Sequence, residues 1–216
     1  MVAVTDQGPS RRRNTRAGGA RTRQRILVQA ERLFAQKGYR GVSLREIAEA
    51  TRIRSFLIQY HFGSKLGLYQ EVLKRWDTEV KERLEESLRG VEGVPQAVDR
   101  IVDDLFDFFA ANHDRLLLHL RAILGEGLPK LPRLDSVRLV AQAIVPRTDA
   151  QGRIGPRLLG ISIEGILHNH LLAITRSREL FGTSADDPRI REQTKAHIKR
   201  VILAMREAER AEPPVL

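Results

Sequence analysis

Two groups of residues in this sequence could do chemistry. Between positions 43 and 65 stand Ser43, Arg54, Ser55, Gln59, Tyr60, His61 and Lys65, a set of cations, hydroxyls and one amide suited to nucleic-acid bases and phosphates. Further on, His113, Asp114 and His119, and separately His168 and His170, offer imidazole and carboxylate groups. On a helix, residues i and i+2 point about 200° apart, whereas metal-ligand pairs need i and i+3 or i+4, so His168 and His170 are not expected to share a metal there. No serine elbow, glycine-rich phosphate loop or paired-carboxylate site accompanies His113 and Asp114, and an ordinary helix end accounts for them. The absence of cysteine excludes thiolate metal sites, disulfides and cysteine nucleophiles. The expectation is a binding protein with no catalytic residue, no metal and no cofactor.

The elements that would carry these residues are all helical. From Thr22, the apolar residues Ile26, Ala30, Leu33 and Phe34 share one helix face, and Gly38 stands where a C-terminal cap belongs. Ser43 and Glu46 have capping-box spacing, which starts a short helix bearing Leu44, Ile47 and Ala48. After Thr51 and Arg52 a second short segment runs from Arg54 to Phe62 and ends at Gly63, so the pair reads as a helix-turn-helix. Ser64 caps a long helix over 64–89 whose stripe is Tyr69, Val72, Leu73, Trp76, Val80, Leu84 and Leu88, long enough to bridge onward into a second domain. Pro95 opens a helix with the stripe Val98, Ile101, Val102, Leu105, Phe106 and Phe109, opposite Asp99, Asp103 and Asp107. Leu116 to Leu124 is apolar almost all round and is expected to be buried. Pro156 to Thr175 is apolar on two faces, and Asp187 with Pro188 starts a last helix bearing Ile190, Ile198, Val201, Ile202 and Met205. The predicted fold class is all-α: residues 1–20 a disordered basic arm, 21–68 a helix-turn-helix domain, and 69–216 a helical bundle.

Charge locates the partner. The first 65 residues hold 14 of the 37 Lys and Arg but 4 of the 27 Asp and Glu; the remaining 151 carry 23 of each and are neutral. A cationic module joined to a neutral body is the pattern of a polyanion binder, because each neutralised phosphate releases condensed counterions. Arg outnumbers Lys 30 to 7, which reflects coding bias as readily as a preference for bidentate phosphate contacts. No apolar run reaches membrane-spanning length and no signal-peptide core opens the chain, so no membrane partner and a cytoplasmic location are expected.

The segment from Ser43 through Leu66 resembles the DNA-binding domain of the TetR family of transcriptional regulators. Ile47 and Ala48, Tyr60, His61 and Phe62, and Ser64 and Lys65 stand in the family's places. The likeness covers roughly residues 22–75; the remainder matches only in length and helical layout. The sequence departs from the family at Thr51 and Arg52 where Ala-Gly is usual, at Gln59 where a tyrosine is usual, and at Gly67 where a capping acid is common. The glycine-favouring turn is therefore either strained or built differently.

A helix-turn-helix of this kind places the segment 54–61 in the major groove, where Arg54, Ser55 and Gln59 meet base edges and Phe56 or Leu57 a thymine methyl. Ser43, Tyr60, His61 and Lys65 are expected on phosphates, and Arg21 and Arg23, on the arm, in a minor groove; a solvated tail accounts for the arm equally well. Tyr60 and Phe62 could instead anchor the short helix, and His61 could be a plain surface residue. The resemblance further implies an operator-bound homodimer joined through the last two helices, and a small-molecule effector, mostly apolar, that releases a repressor. Candidates for the effector pocket are Trp76, Phe106, Phe109, Leu117, Leu120, Ile123, His168 and Leu172, all equally serviceable as core. Two competitors stay open: an architectural or segregation-type DNA binder without effector, and a helical enzyme using His113, Asp114 or His119.

Overall fold

Local chemistry marks the helix ends. A computed structural model describes residues 10–123, 161–163, 165–170 and 187–211, and every regular element among them is a helix. In chain order these are α1 (Ser10–Lys37), α2 (Leu44–Thr51), α3 (Ser55–Phe62), α4 (Lys65–Ser87), α5 (Val94–Ala111), α6 (His113–Ile123), helical residues within 161–170, and α7 (Pro188–Ala211). Gly38 ends α1 at φ 70° with its amide 2.8 Å from the Phe34 carbonyl. Ser43 caps α2 by accepting from the Glu46 amide, Ser64 caps α4 by accepting from Gly67, and Asp187 caps α7 by accepting from Arg189. Each was legible as a start or stop signal.

The first expectation to fail is the disordered arm. Helix α1 already runs at Ser10, well before Thr22, so residues 10–20 are not an unstructured tail; residues 1–9 lie outside those described. Arginine and alanine are good helix formers, and the helix needs no apolar face there to propagate from the buried stretch that follows. Thr22 Oγ1 adds a bond to the Gly18 carbonyl one turn back.

The described residues fall into two compact units. Those within Met1–Arg75 and Asp114–Pro132 form one, and those within Trp76–His113 and Arg133–Leu216 form the other. The predicted division at residue 69 is corrected on two counts. The stripe of α4 is shared, Leu68, Tyr69, Val72 and Leu73 joining the first core, and α6 returns to that unit by burying Leu118 and Ala122 in the same core. An ion pair and a hydrogen bond join it to α1: Arg115 Nε lies 2.7 Å from Glu31, and Arg121 donates to the Ala35 carbonyl at 3.0 Å.

The first core is built on Ile26, Ala30 and Phe34 of α1, Ile47 of α2, and Ile58 and Phe62 of α3. Phe34, Tyr39 and Tyr69 form an aromatic cluster with edge contacts at 5.0 Å. Eight-residue helices such as α2 and α3 are too short to persist alone, so their anchors in this core decide that they form at all.

In the second unit the predicted stripe of α5 is buried throughout, from Ala97 to Phe109, with Trp76, Val80 and Leu84 of α4 and Ile198 and Ile202 of α7. The acidic face of α5 does not meet water alone. Lys199 reaches Asp103 at 2.9 Å and Asp99 at 3.4 Å, Lys195 reaches Asp107 at 2.8 Å, and Arg191 reaches Asp107 at 3.3 Å. Residue number rises along α7 as it falls along α5, so the ladder is that of antiparallel helices.

Candidate nucleic-acid interface

The helix that should meet bases is α3, and its two faces differ sharply. Ile58 and Phe62 are buried in the first core and Leu57 packs against it, while Arg54, Ser55, Phe56, Gln59 and Tyr60 face outward. Phe56 is 57% and Tyr60 81% exposed, a costly way to leave aromatic rings unless something else covers them. Arg54 occupies the N-cap position without capping the helix through its side chain. Among the described residues, neither Arg52 nor Arg54 forms an ion pair, so both guanidiniums are available to an outside anion.

The turn before α3 resolves the question left by the missing glycine. Arg52 itself adopts the left-handed conformation, φ 55° and ψ 37°, and is the one non-glycine residue with positive φ among those described. The turn is therefore strained rather than rebuilt, at a cost of roughly 1 kcal/mol. Its neighbours are well satisfied. Thr51 is buried with Oγ1 donating to the Ile47 carbonyl at 2.7 Å, Ile53 donates to the Ala48 carbonyl, and Arg25 of α1 donates to the Thr51 carbonyl at 2.8 Å. The Arg25 bond had no sequence signal, because it joins residues 26 apart.

Gly67 also acquires a reason. A Cβ there would stand 2.2 Å from the Phe62 carbonyl oxygen, so no acid can replace it while the end of α3 lies this close to the first turn of α4. That close approach brings Lys65, the first residue of α4, beside α3's C-terminal end. Lys65 Nζ lies 4.3 Å from the centre of the Tyr39 ring, and burial pulls its pKa below the usual lysine value. Ser43 is exposed at the start of α2, where its hydroxyl caps the helix. Beside it the Glu46 carboxylate is held below its ordinary pKa, first by a hydrogen bond from Lys37 and then by the Ser43 backbone. His61 is half-buried against Tyr60 and Phe62.

One of the predicted contacts has partners within the chain. Arg23 is not on a free arm: it pairs with Glu71 of α4, and its guanidinium lies 5.1 Å from the Phe62 ring centre, so it ties α1 to α3. Arg21, two residues earlier on α1, is exposed. The residues expected in one effector pocket are divided between the units. Trp76, Phe106, Phe109 and His168 belong to the second, where Trp76 and Phe109 stand 5.8 Å apart and Phe109 and His168 6.0 Å. Leu117 and Leu120 lie on α6, in the first unit. The side chain of Ile123, and Leu172 as a whole, lie outside those described.

A cleft of about 390 Å³ in the second unit is lined by Glu79, Glu82, Arg83, Glu86, Asp104 and Phe108 among others, and by none of the expected pocket residues. Most of its lining residues are charged, and Arg83 already covers the Phe108 ring at 4.6 Å.

Residues 26–72 match the family profile described as bacterial regulatory proteins, tetR family. Among curated proteins, the HTH-type transcriptional activator FasR of Mycolicibacterium smegmatis is 30% identical over 103 residues, covering 48% of this chain and 46% of FasR. The HTH-type transcriptional repressor BepR of Brucella suis is 36% identical over 63 residues, covering 29% of this chain and 30% of BepR. The chain thus spans less than half the length of these relatives. A tetR-family regulator from Shewanella sp. PV-4 superposes with TM-score 0.63 at 17% identity over 86% of this chain and 95% of that one, and PfmR from Thermus thermophilus with TM-score 0.57 at 23% identity over 83% and 97%. The fold likeness extends well beyond the matched segment, and the described helices of the second unit fall in its helical C-terminal part. Residues 26–72, with their glycine-less turn and outward-facing α3, thus carry a helix-turn-helix similar to that of the tetR family of bacterial regulatory proteins, and the rest of the described chain is similar to such regulators in fold.

Proposed function

We propose that the chain is a sequence-specific DNA-binding transcriptional regulator that acts as a homodimer on a palindromic operator. The observation that carries this reading is the outward face of α3, where Arg54, Ser55, Phe56, Gln59 and Tyr60 stand exposed on a helix anchored from behind by Ile58 and Phe62. In a major groove the first four can meet base edges or thymine methyls, together with the half-buried Leu57. Ser43, Tyr60, His61 and Lys65 flank that face at helix ends and would grip phosphates, fixing register without reading sequence. Arg21, exposed on α1, remains available to a neighbouring groove.

Dimerisation through the C-terminal helical region is supported by surface left uncovered in one copy. Ile161 is 61% exposed, Gly165 has open space where a Cβ would be, and Val201, Ala204 and Met205 of α7 are at least partly exposed beyond the buried Ile198 and Ile202. A twofold pair would read two half-sites one helical turn apart. The ring cluster of Trp76, Phe109 and His168 is the part of the second unit best suited to a mostly apolar effector with one polar contact. The relatives include an activator and a repressor by name; for this chain the proposal is a repressor relieved by its effector.

The test is footprinting of the DNA beside the chain's own gene with purified full-length protein. Protection of a palindrome, lost with specific competitor but not with random DNA, supports the reading; equal affinity for operator and random duplex would turn it toward an architectural DNA binder.

A further inference from the structure

We propose that His170 and His197 form a binding site for a divalent transition-metal ion such as Zn²⁺, independent of the DNA-reading face. His170 lies on the helical stretch 165–170 and His197 on α7, both in the second unit. Their ring centres are 5.5 Å apart with planes inclined at 44°. A zinc ion about 2.1 Å from one nitrogen of each ring, at a tetrahedral angle, holds the ring centres roughly 5 Å apart, so the observed spacing needs only a small adjustment.

The His170 ring is oriented by its own helix. Its Nδ1 stands 2.8 Å from the Ile166 carbonyl oxygen, and because a carbonyl only accepts, Nδ1 carries a proton and Nε2 is the nitrogen left for an ion in the neutral ring. A carbonyl bond at the far nitrogen is how metal-ligating histidines are commonly oriented, and it fixes the ring before any ion arrives. His197 is exposed, giving an ion a path from solvent. His168 takes no part: two residues away on the same helix, it meets the Phe109 ring instead.

No group of three or more His, Cys, Asp or Glu that could hold a metal occurs among the described residues. The site is therefore an open two-imidazole chelate, completed by water, of moderate affinity. Binding would clamp the C-terminal helix to the 165–170 stretch and so raise the stability of the second unit by linkage.

The experiment uses full-length protein with any affinity tag removed, stripped with chelator and titrated with ZnCl₂ by calorimetry, with thermal unfolding at each concentration. One ion per chain and a Tm that climbs with zinc are expected. His170→Ala and His197→Gln should each weaken binding at least tenfold and remove the Tm rise, while His168→Ala leaves both intact. Helical circular dichroism of the variants, H197Q above all since its side chain is exposed, checks that they fold. Absence of zinc binding above buffer, or binding unchanged in both folded variants, would overturn the proposal.

Discussion

The face of α3 and the seam between α5 and α7 use similar residue types to opposite ends. At the seam, Lys195 and Lys199 are spent on Asp99, Asp103 and Asp107 of the same chain. At the face, Arg52 and Arg54 form no ion pair with any described residue, and two aromatic rings are left in water. A charge paired internally contributes to stability and is lost to ligands; a charge left unpaired contributes little to folding and stays open to a polyanion. Substitutions in the two regions should therefore separate stability from binding.

The largest contrast lies between two phenylalanines. Phe106 is fully buried, so Phe106→Ala should destabilise by about 3–5 kcal/mol, seen as a lower urea midpoint. Phe56 is more than half exposed, and Phe56→Ala should leave the midpoint within about 0.5 kcal/mol while weakening operator binding. A large stability loss from Phe56→Ala would show that the ring is structural and break the comparison.

Next come two cations of the face itself. Arg54→Ala should cost about 1–3 kcal/mol on the preferred operator and relax preference at particular bases, whereas Lys65→Ala should weaken all duplexes alike and lower the slope of log affinity against log salt by about one. Identical effects of both changes across operator variants, measured by fluorescence anisotropy, would contradict the division into base readers and phosphate clamps.

Much of this architecture could be read from residue patterns, and the reasons for the exceptions are specific. Caps depend on neighbours two to four residues away, which is why Ser43, Gly38 and Asp187 declared their helices in advance. Periodicity marks a face as polar but not what lies opposite, so Asp99, Asp103 and Asp107 could be placed opposite the apolar stripe but not matched to their partners on α7. The association of α6 with the first unit rests on bonds between residues 84 and 86 positions apart, beyond any local signal. The pairing of Arg23 had no local signal for the same reason, its partner Glu71 being 48 residues away. Gly67 looked like a missing cap, and only the Phe62 carbonyl beside it explains the choice.

A smaller effect sharpens the comparison at the turn. Arg52→Gly removes a left-handed strain without removing an observed side-chain bond, so it should raise stability by about 0.5–1 kcal/mol in chemical denaturation, against the added chain entropy of glycine. A loss of stability would mean that the arginine side chain supports the turn through packing. The backbone bonds from Arg52 and Ile53 to α2 should be unaffected.

The smallest predicted effect is on pH, and it distinguishes the seam from the face by sign. Burial works to lower the pKa of Lys195 and Lys199, but hydrogen bonds and charge from Asp107 and Glu192, and from Asp103 and Asp99, outweigh it and leave both raised. Their contribution is fully present below the unfolded-lysine value of about 10.4 and is lost as pH rises through the folded values above it. Lys65, lowered by burial without an acidic partner, acts the other way: it opposes folding while charged, and that penalty fades as pH climbs through its folded pKa toward the unfolded one. Asp107→Asn should therefore flatten the alkaline loss of stability, and Lys65→Met should steepen it. Urea midpoints between pH 8 and pH 11 measure both, and a Lys65→Met profile that runs parallel to wild type would show that its burial carries no such penalty.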